Sequence, residues 1–85
     1  MTVKLVYFAW VRERIGIDEE QAELPADITT LAELMDWLRS RGEGHAQALD
    51  DASKLRFAID QQMAKPEDSI AGAREIAIFP PVTGG

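Results

Sequence analysis

Cysteine is absent from the 85 residues, and histidine occurs once, at His45. Together these exclude a disulfide framework, a cysteine nucleophile, a thiolate metal centre and a zinc site built on several His or Cys ligands. No metal ligand set is expected. Basic residues are scarce too: nine Lys and Arg stand against fifteen Asp and Glu, for a formal net charge of −6. That sign is poorly matched to nucleic-acid phosphates and to anionic membranes, both of which call for clustered cations. Modest acidity is an ordinary device for solubility, and as a second reading it suits a basic patch on a protein partner. No apolar run approaches the ~20 residues of a membrane span. The opening MTVKLVYFAW lacks the basic region and cleavage site of a secretion signal, so a cytoplasmic location is expected.

What is present suits one small domain. Hydrophobic residues make up 46% and charged residues 28%, an ordinary globular balance. A chain of this length buries roughly 60–65% of its unfolded surface, enough for one core and no second lobe with a deep catalytic cleft. Residues 2–10, TVKLVYFAW, are rich in β-branched and aromatic types and read as a strand, with Val3, Leu5 and Tyr7 on one side and Lys4, Val6 and Phe8 on the other. A turn near Gly16 leads to a more polar strand, EEQAEL (19–24), ended by Pro25. TTLAELMDWLRSRGEG is the clearest helix. Thr30 and Glu33 fit a capping box, and Leu31, Leu34, Met35 and Leu38 share one face. Arg39 and Arg41 suit the C-terminal end of its dipole, and Gly42 is expected to supply a left-handed stop. Residues 43–54 read as a loop with about one helical turn. KLRFAID (54–60) alternates as a strand, QMAK before Pro66 is a short edge piece, turns fall at 66–68 and Gly72, and REIAIF (74–79) is the last strand.

Two strands, one main helix, then the remaining strands predict an α+β layer, a mixed sheet with the helix across one face. This is the order of the β-grasp, or ubiquitin-like, fold, in which the first and last strands lie parallel at the sheet's centre. By that analogy residues 1–79 form the domain and residues 80–85 a C-terminal tail. The face away from the helix carries Phe8, Ala77 and Phe79, with the two rings as neighbours where the tail departs. Exposed aromatic area of this kind marks a contact surface.

The tail, PPVTGG, holds two of the four prolines and two of the six glycines. Pro80 and Pro81 cannot donate to a ladder, so the strand must stop at Phe79 and leave in a stiff, extended form. Extended, Pro80 to Gly85 reach roughly 20 Å. Gly84 and Gly85 lack Cβ atoms and can enter a channel too narrow for other residues. The α-carboxylate of Gly85 is the one functional group on offer there.

FPPVTGG after such a strand, with VKLVYFAWVRE as the opening, resembles the MoaD family of sulfur carriers, the small subunits of molybdopterin synthase, along nearly the whole chain. The resemblance implies a set of roles. A MoeB-type enzyme would use ATP to adenylate Gly85, and a sulfur donor protein would convert the adenylate to a thiocarboxylate. Pro80, Pro81, Val82, Thr83 and Gly84 would insert into a MoaE-type large subunit, where the sulfur passes to precursor Z within a heterotetramer. Phe8, Met63 and Phe79 match the family's apolar contact surface, and Arg12 an arginine of its VRE segment. Such a carrier binds no cofactor and needs no base, nucleophile or active site of its own. The turn AGAREI departs from the family's acidic turn, offering Ala73 and Arg74 after Gly72.

Other features read as structural. His45 is a loop histidine, Asp50-Asp51 and Glu67-Asp68 are solvated pairs, and Asp18, Glu19 and Glu20 form a polar edge that discourages aggregation. Trp10 and Trp37 read as packing residues. GEG lacks the lysine and preceding strand of a phosphate loop. Alternatives to the molybdenum pathway are a thiamine- or cysteine-pathway carrier, a modifier conjugated through Gly85, and an adaptor that binds through Phe8 and Phe79 alone.

Overall fold

Alternation of apolar and polar residues in the first strand is realised as β1, Thr2–Tyr7, which buries Val3, Leu5 and Tyr7. The computed structural model describes residues 1–81, the side chain of Ala52 excepted. Along the chain follow α1 (Ala9–Ile15), β2 (Glu19–Glu23), α2 (Leu31–Arg39), α3 (Glu43–Ala48), a 3₁₀ turn at Ala52–Lys54, β3 (Arg56–Ile59), β4 (Gln62–Ala64) and β5 (Glu75–Phe79). The strands form one sheet in the order β2-β1-β5-β3-β4. β1 and β5 are parallel, with Lys4 opposite Glu75 and Tyr7 opposite Ile78, while the other pairings are antiparallel. This is the expected mixed sheet, with the last strand at its centre.

One face of the sheet (Val3, Leu5, Tyr7, Ala22, Phe57, Ile76, Ile78) meets the apolar faces of the helices in a single core. α2 supplies Leu31, Leu34, Met35 and Leu38, the four residues its i, i+3, i+4, i+7 spacing predicts. Its capping box is formed: Thr30 accepts from the Glu33 N–H at 3.2 Å, and Glu33 accepts from the Thr30 N–H at 3.0 Å. Two further N–H groups at this helix start, of Leu31 and Ala32, donate to the carbonyls of Asp68 and Pro66, which docks the 66–70 loop and its buried Ile70.

Three local expectations are corrected. Residues 9–15, read as strand end and turn, form the helix α1. Its N-cap, Phe8, makes no side-chain cap bond, so no capping residue marks the start; Gly16 at φ 97 closes the end. Trp10 thus belongs to a helix, where it packs partly buried against the core. Gly42 does not stop α2 in a left-handed turn. The helix ends through Ser40 in right-handed geometry, and Gly42, extended at φ 168, becomes the N-cap of α3. The 43–54 connection holds a two-turn helix and a 3₁₀ turn where one helical turn was expected.

α3 exists because it is pinned on two sides. A Cβ on Gly44 would lie 2.9 Å from the carbonyl oxygen of Arg14, so the helix backbones touch there. His45 reaches across to the sheet edge, where its Nε2 stands 2.8 Å from Glu20 Oε2. The same oxygen accepts the Tyr7 hydroxyl at 2.6 Å. Burial and then the Glu20 carboxylate push the Tyr7 phenol far up. For Glu20, burial acts to raise the carboxyl, but the hydrogen bonds from Tyr7 and His45 and the field of Arg41 outweigh it and hold the group below the ordinary glutamate value. His45 is therefore a structural histidine on a helix, and Glu20 half of a part-buried polar latch.

Two outcomes follow from α3. Gly-to-Ala in a helix ordinarily gains about 0.5–1 kcal/mol. At Gly44 the 2.9 Å contact is with backbone, which cannot rotate away. The overpacking term of about 1–3 kcal/mol wins, so Gly44→Ala lowers unfolding free energy in urea melts by about 1 kcal/mol. Tyr7→Phe costs about 1 kcal/mol at about pH 7, where Glu20 is a carboxylate in both states. A depressed folded pKa gives stability that is present above the unfolded value and lost as pH falls through the folded one. The Tyr7→Phe penalty therefore shrinks in melts at about pH 3.5, below the ordinary glutamate value of about 4.3.

Candidate functional site

Among the described residues no helix covers the other face of the sheet, and the strand register sets its side chains in rows. One row crosses four strands through Val6, Ala77, Ala58 and Met63, each directly opposite the next. Three of these are small or half-buried, which gives a flat apolar lane, and it ends at Met63 with 68% exposure. Nearer the tail, Phe8 and Phe79 meet edge to face, ring centroids 6.4 Å apart at 83°. Phe8 is 48% exposed and Phe79 half-buried. The backbone locks this pair, because the Phe8 N–H donates to the Ile78 carbonyl at 3.2 Å. The chain then turns sharply: Ala9 takes φ 54, a left-handed value that ordinarily costs an alanine about 1 kcal/mol or more. That kink leaves Phe8 on the open face and starts α1 on the other side.

Toward the opposite end the same face is polar. Lys4 Nζ sits 2.9 Å from Glu19 Oε2, and Glu19 holds the Lys4 ammonium above its ordinary value. Glu75 and Gln21 flank Lys4 in the register. The face is thus divided, with the aromatic pair beside the exposed Arg56 where β5 ends and the Lys4–Glu19 pair where it begins.

The expected site residues fall as follows. Phe8 and Phe79 are brought together. Met63 stands on the same face at the far edge strand, two strand spacings, or about 10 Å, from β5. Arg12 is exposed on α1, one turn past Phe8, with its N–H directed at the Phe8 carbonyl at 3.4 Å. Pro80 and Pro81 lie outside the ladder, immediately after β5. Val82, Thr83, Gly84 and Gly85 lie outside the described residues. Sequence reading placed Val6 and Ala58 opposite the core but not in the contact lane; only the register aligns them with Met63. Among the described residues, no cluster of His, Asp and Glu could hold a metal ion. No helix there is long and apolar enough to cross a membrane.

Comparison with known proteins gives a family match over nearly the full chain: the profile of the ThiS family covers residues 5–85. The chain belongs to the ThiS family. Among relatives, the chain is 36% identical over 83 residues to the molybdopterin synthase sulfur carrier subunit of Escherichia coli K12, covering 98% of this chain and 99% of that one. It is 39% identical over 83 residues to the protein of the same name in Haemophilus influenzae, with the same coverage. Among solved structures, a Pyrococcus furiosus protein assigned as molybdopterin converting factor subunit 1 superposes with TM-score 0.74 at 24% identity, over 96% of this chain and 99% of that one. That likeness establishes the ubiquitin-like fold, which this ThiS-family chain shares.

The open face of this ThiS-family domain contributes little to its own stability. Phe8→Ala forfeits mainly the edge-to-face contact, about 0.5–1.5 kcal/mol, and Met63→Ser changes unfolding free energy by less than about 0.5 kcal/mol. Ile78→Ala on the covered face costs about 2–5 kcal/mol in the same denaturant melts.

Proposed function

We propose that the protein is the sulfur carrier of molybdopterin synthase, working through the carboxylate of Gly85. The observation that carries this is the union of an aromatic, uncovered sheet face with a Pro-Pro-Val-Thr-Gly-Gly exit from the central strand, in a chain whose full-length relatives bear that name. The ThiS family description by itself also fits carriers of other sulfur pathways. FPPVTGG and the names of the relatives favour the molybdenum one.

The chemistry divides between the chain and its partners. A carboxylate is a poor electrophile until one oxygen becomes part of a leaving group. An ATP-dependent, MoeB-type enzyme supplies that change: the Gly85 carboxylate oxygen attacks the α-phosphate, pyrophosphate leaves, and an acyl adenylate results. A sulfur donor then displaces AMP, leaving a thiocarboxylate. The carrier's contribution is delivery. Phe8, Phe79, Met63 and Arg12 dock the domain, Pro80 and Pro81 hold the exit straight, and Val82, Thr83 and Gly84 run through a narrow channel of the large subunit to precursor Z. No base, nucleophile or bound cofactor of the carrier takes part, so it acts as the sulfur-bearing subunit of a sulfurtransferase. Two carriers serve two sulfur additions in a cytoplasmic heterotetramer.

Mass spectrometry tests the reading. Incubated with its activating enzyme, ATP and a sulfur source, the intact chain gains the mass difference between sulfur and oxygen, and the gain maps to the C-terminal peptide. A variant extended by one alanine beyond Gly85 yields no charged carrier active in molybdopterin formation. An unchanged mass under conditions that charge the Escherichia coli relative overturns the proposal.

A further inference from the structure

At the tail end of the open face the sheet carries a feature that docking through Phe8 and Phe79 leaves unused. Arg56 lies directly opposite Phe79, and the β3–β4 register, Phe57 against Ala64, continued outward by one residue sets Lys65 across from Arg56. Both cations are exposed and both line one cleft of about 320 Å³ at the β3–β4 edge, bordered by Ser53, Ala64 and Pro66. We propose that this cleft is a docking point for an acidic segment of the protein that receives the tail. The inference rests on the proposed function for the existence of such a receiver, and adds what its surface must carry.

The charges make the argument. The described residues contain three ion pairs, which engage the N-terminus, Lys4 and Arg39, besides the His45–Glu20 contact; neither Arg56 nor Lys65 takes part in any of these. Arg56 Nη1 donates to the carbonyls of Leu55, at 2.8 Å, and Ser53, at 3.4 Å. This steadies the guanidinium at the cleft and leaves its remaining N–H donors for another acceptor. Like charges opposed across neighbouring strands repel. Acids outnumber bases fifteen to nine in this chain, yet among the described residues no carboxylate forms an ion pair with either cation; the nearby Asp68 carboxylate is engaged by the Lys65 backbone N–H at 2.9 Å. An incoming carboxylate removes the repulsion and gains charge-assisted hydrogen bonds.

Distance selects the occupant. With the tail inserted and extended, Gly85 works roughly 20 Å from the end of β5. The nucleotide or pterin that reacts there is out of reach of Arg56. What lies against the base of the tail is the rim of the receiving channel, so the ligand is a protein segment with carboxylates for Arg56 and Lys65. The local sign is opposite to that of the whole molecule, and this gives the docked pair a fixed rotational setting about the tail.

The test titrates the molybdopterin synthase large subunit of the same organism with the wild-type carrier, Arg56→Gln/Lys65→Gln and Arg56→Glu/Lys65→Glu at low and high salt. Thermal melts of the free carriers shift little, since both side chains are exposed and, in the neutral pair, relief of the repulsion offsets the lost Arg56 bonds to Leu55 and Ser53. Charge reversal weakens binding by about tenfold or more at low salt, and the neutral pair weakens it less and flattens its salt dependence. Wild-type affinity and salt dependence in both variants overturn the inference and leave the sulfur-carrier reading intact. A loss of affinity with unaltered salt dependence also overturns it, because that reports packing and not charge. Failure of the wild-type carrier to bind overturns the functional reading, and the inference with it.

Discussion

β1 and β5, the two ends of the domain in sequence, pair in parallel along Lys4–Tyr7 and Glu75–Ile78, and most of the structure hangs on that ladder. A parallel pair cannot close with a tight hairpin and needs a crossover between its strands. Here nearly the whole domain is the crossover. Pairing at this separation carries a large loop-closure cost, which is recovered only when the intervening helices bury the shared face of Leu5, Tyr7, Ile76 and Ile78. The same ladder brings Phe8 to Phe79 and puts the exit of the chain beside both rings. Fold and candidate docking surface are therefore one arrangement seen from two sides of a sheet.

The helix layer shows how unequal local sequence signals are. The start and apolar face of α2 were legible to the residue, because a capping box and a 3.6-residue apolar period act within one segment, whereas its stop, expected at Gly42, was not. The strands were legible from alternation, and the central parallel pairing of the first and last only by analogy with the β-grasp order. α1 was not. Its seven residues follow a strand without a capping side chain, and its start depends on Ala9 holding a left-handed angle that sequence reasoning has no cause to assign to alanine. α3 was read short, as about one helical turn, for a related reason. Its anchors, Glu20 on β2, Tyr7 on β1 and the Arg14 carbonyl on α1, are distant in sequence and converge only in the folded chain.

The candidate site divides along the same line. Phe8, Phe79 and the Pro-Pro-Val-Thr-Gly-Gly run stand out because aromatic residues near a strand end and paired prolines after one are unusual locally. The lane through Val6, Ala77, Ala58 and Met63 was not readable, since face assignment says which side a residue occupies and never which neighbour it meets. The Arg56–Lys65 cleft lies further still from local signals. Its two cations are nine positions apart and become neighbours through the β3–β4 hairpin. That hairpin turns on Asp60 and Gln61, both left-handed, with Asp60 Oδ1 accepting the N–H groups of Arg74 and Glu75 at 2.9 Å.

A central β5 has a mechanical meaning. A partner that grips the final residues and draws away along the strand axis loads β5 in shear, with the hydrogen bonds to β1 and β3 resisting side by side. Peeling them one at a time would require a sideways pull. The exit of the chain is thereby rooted in a strand paired on both sides, and such a pull would move the domain as a whole instead of unravelling it.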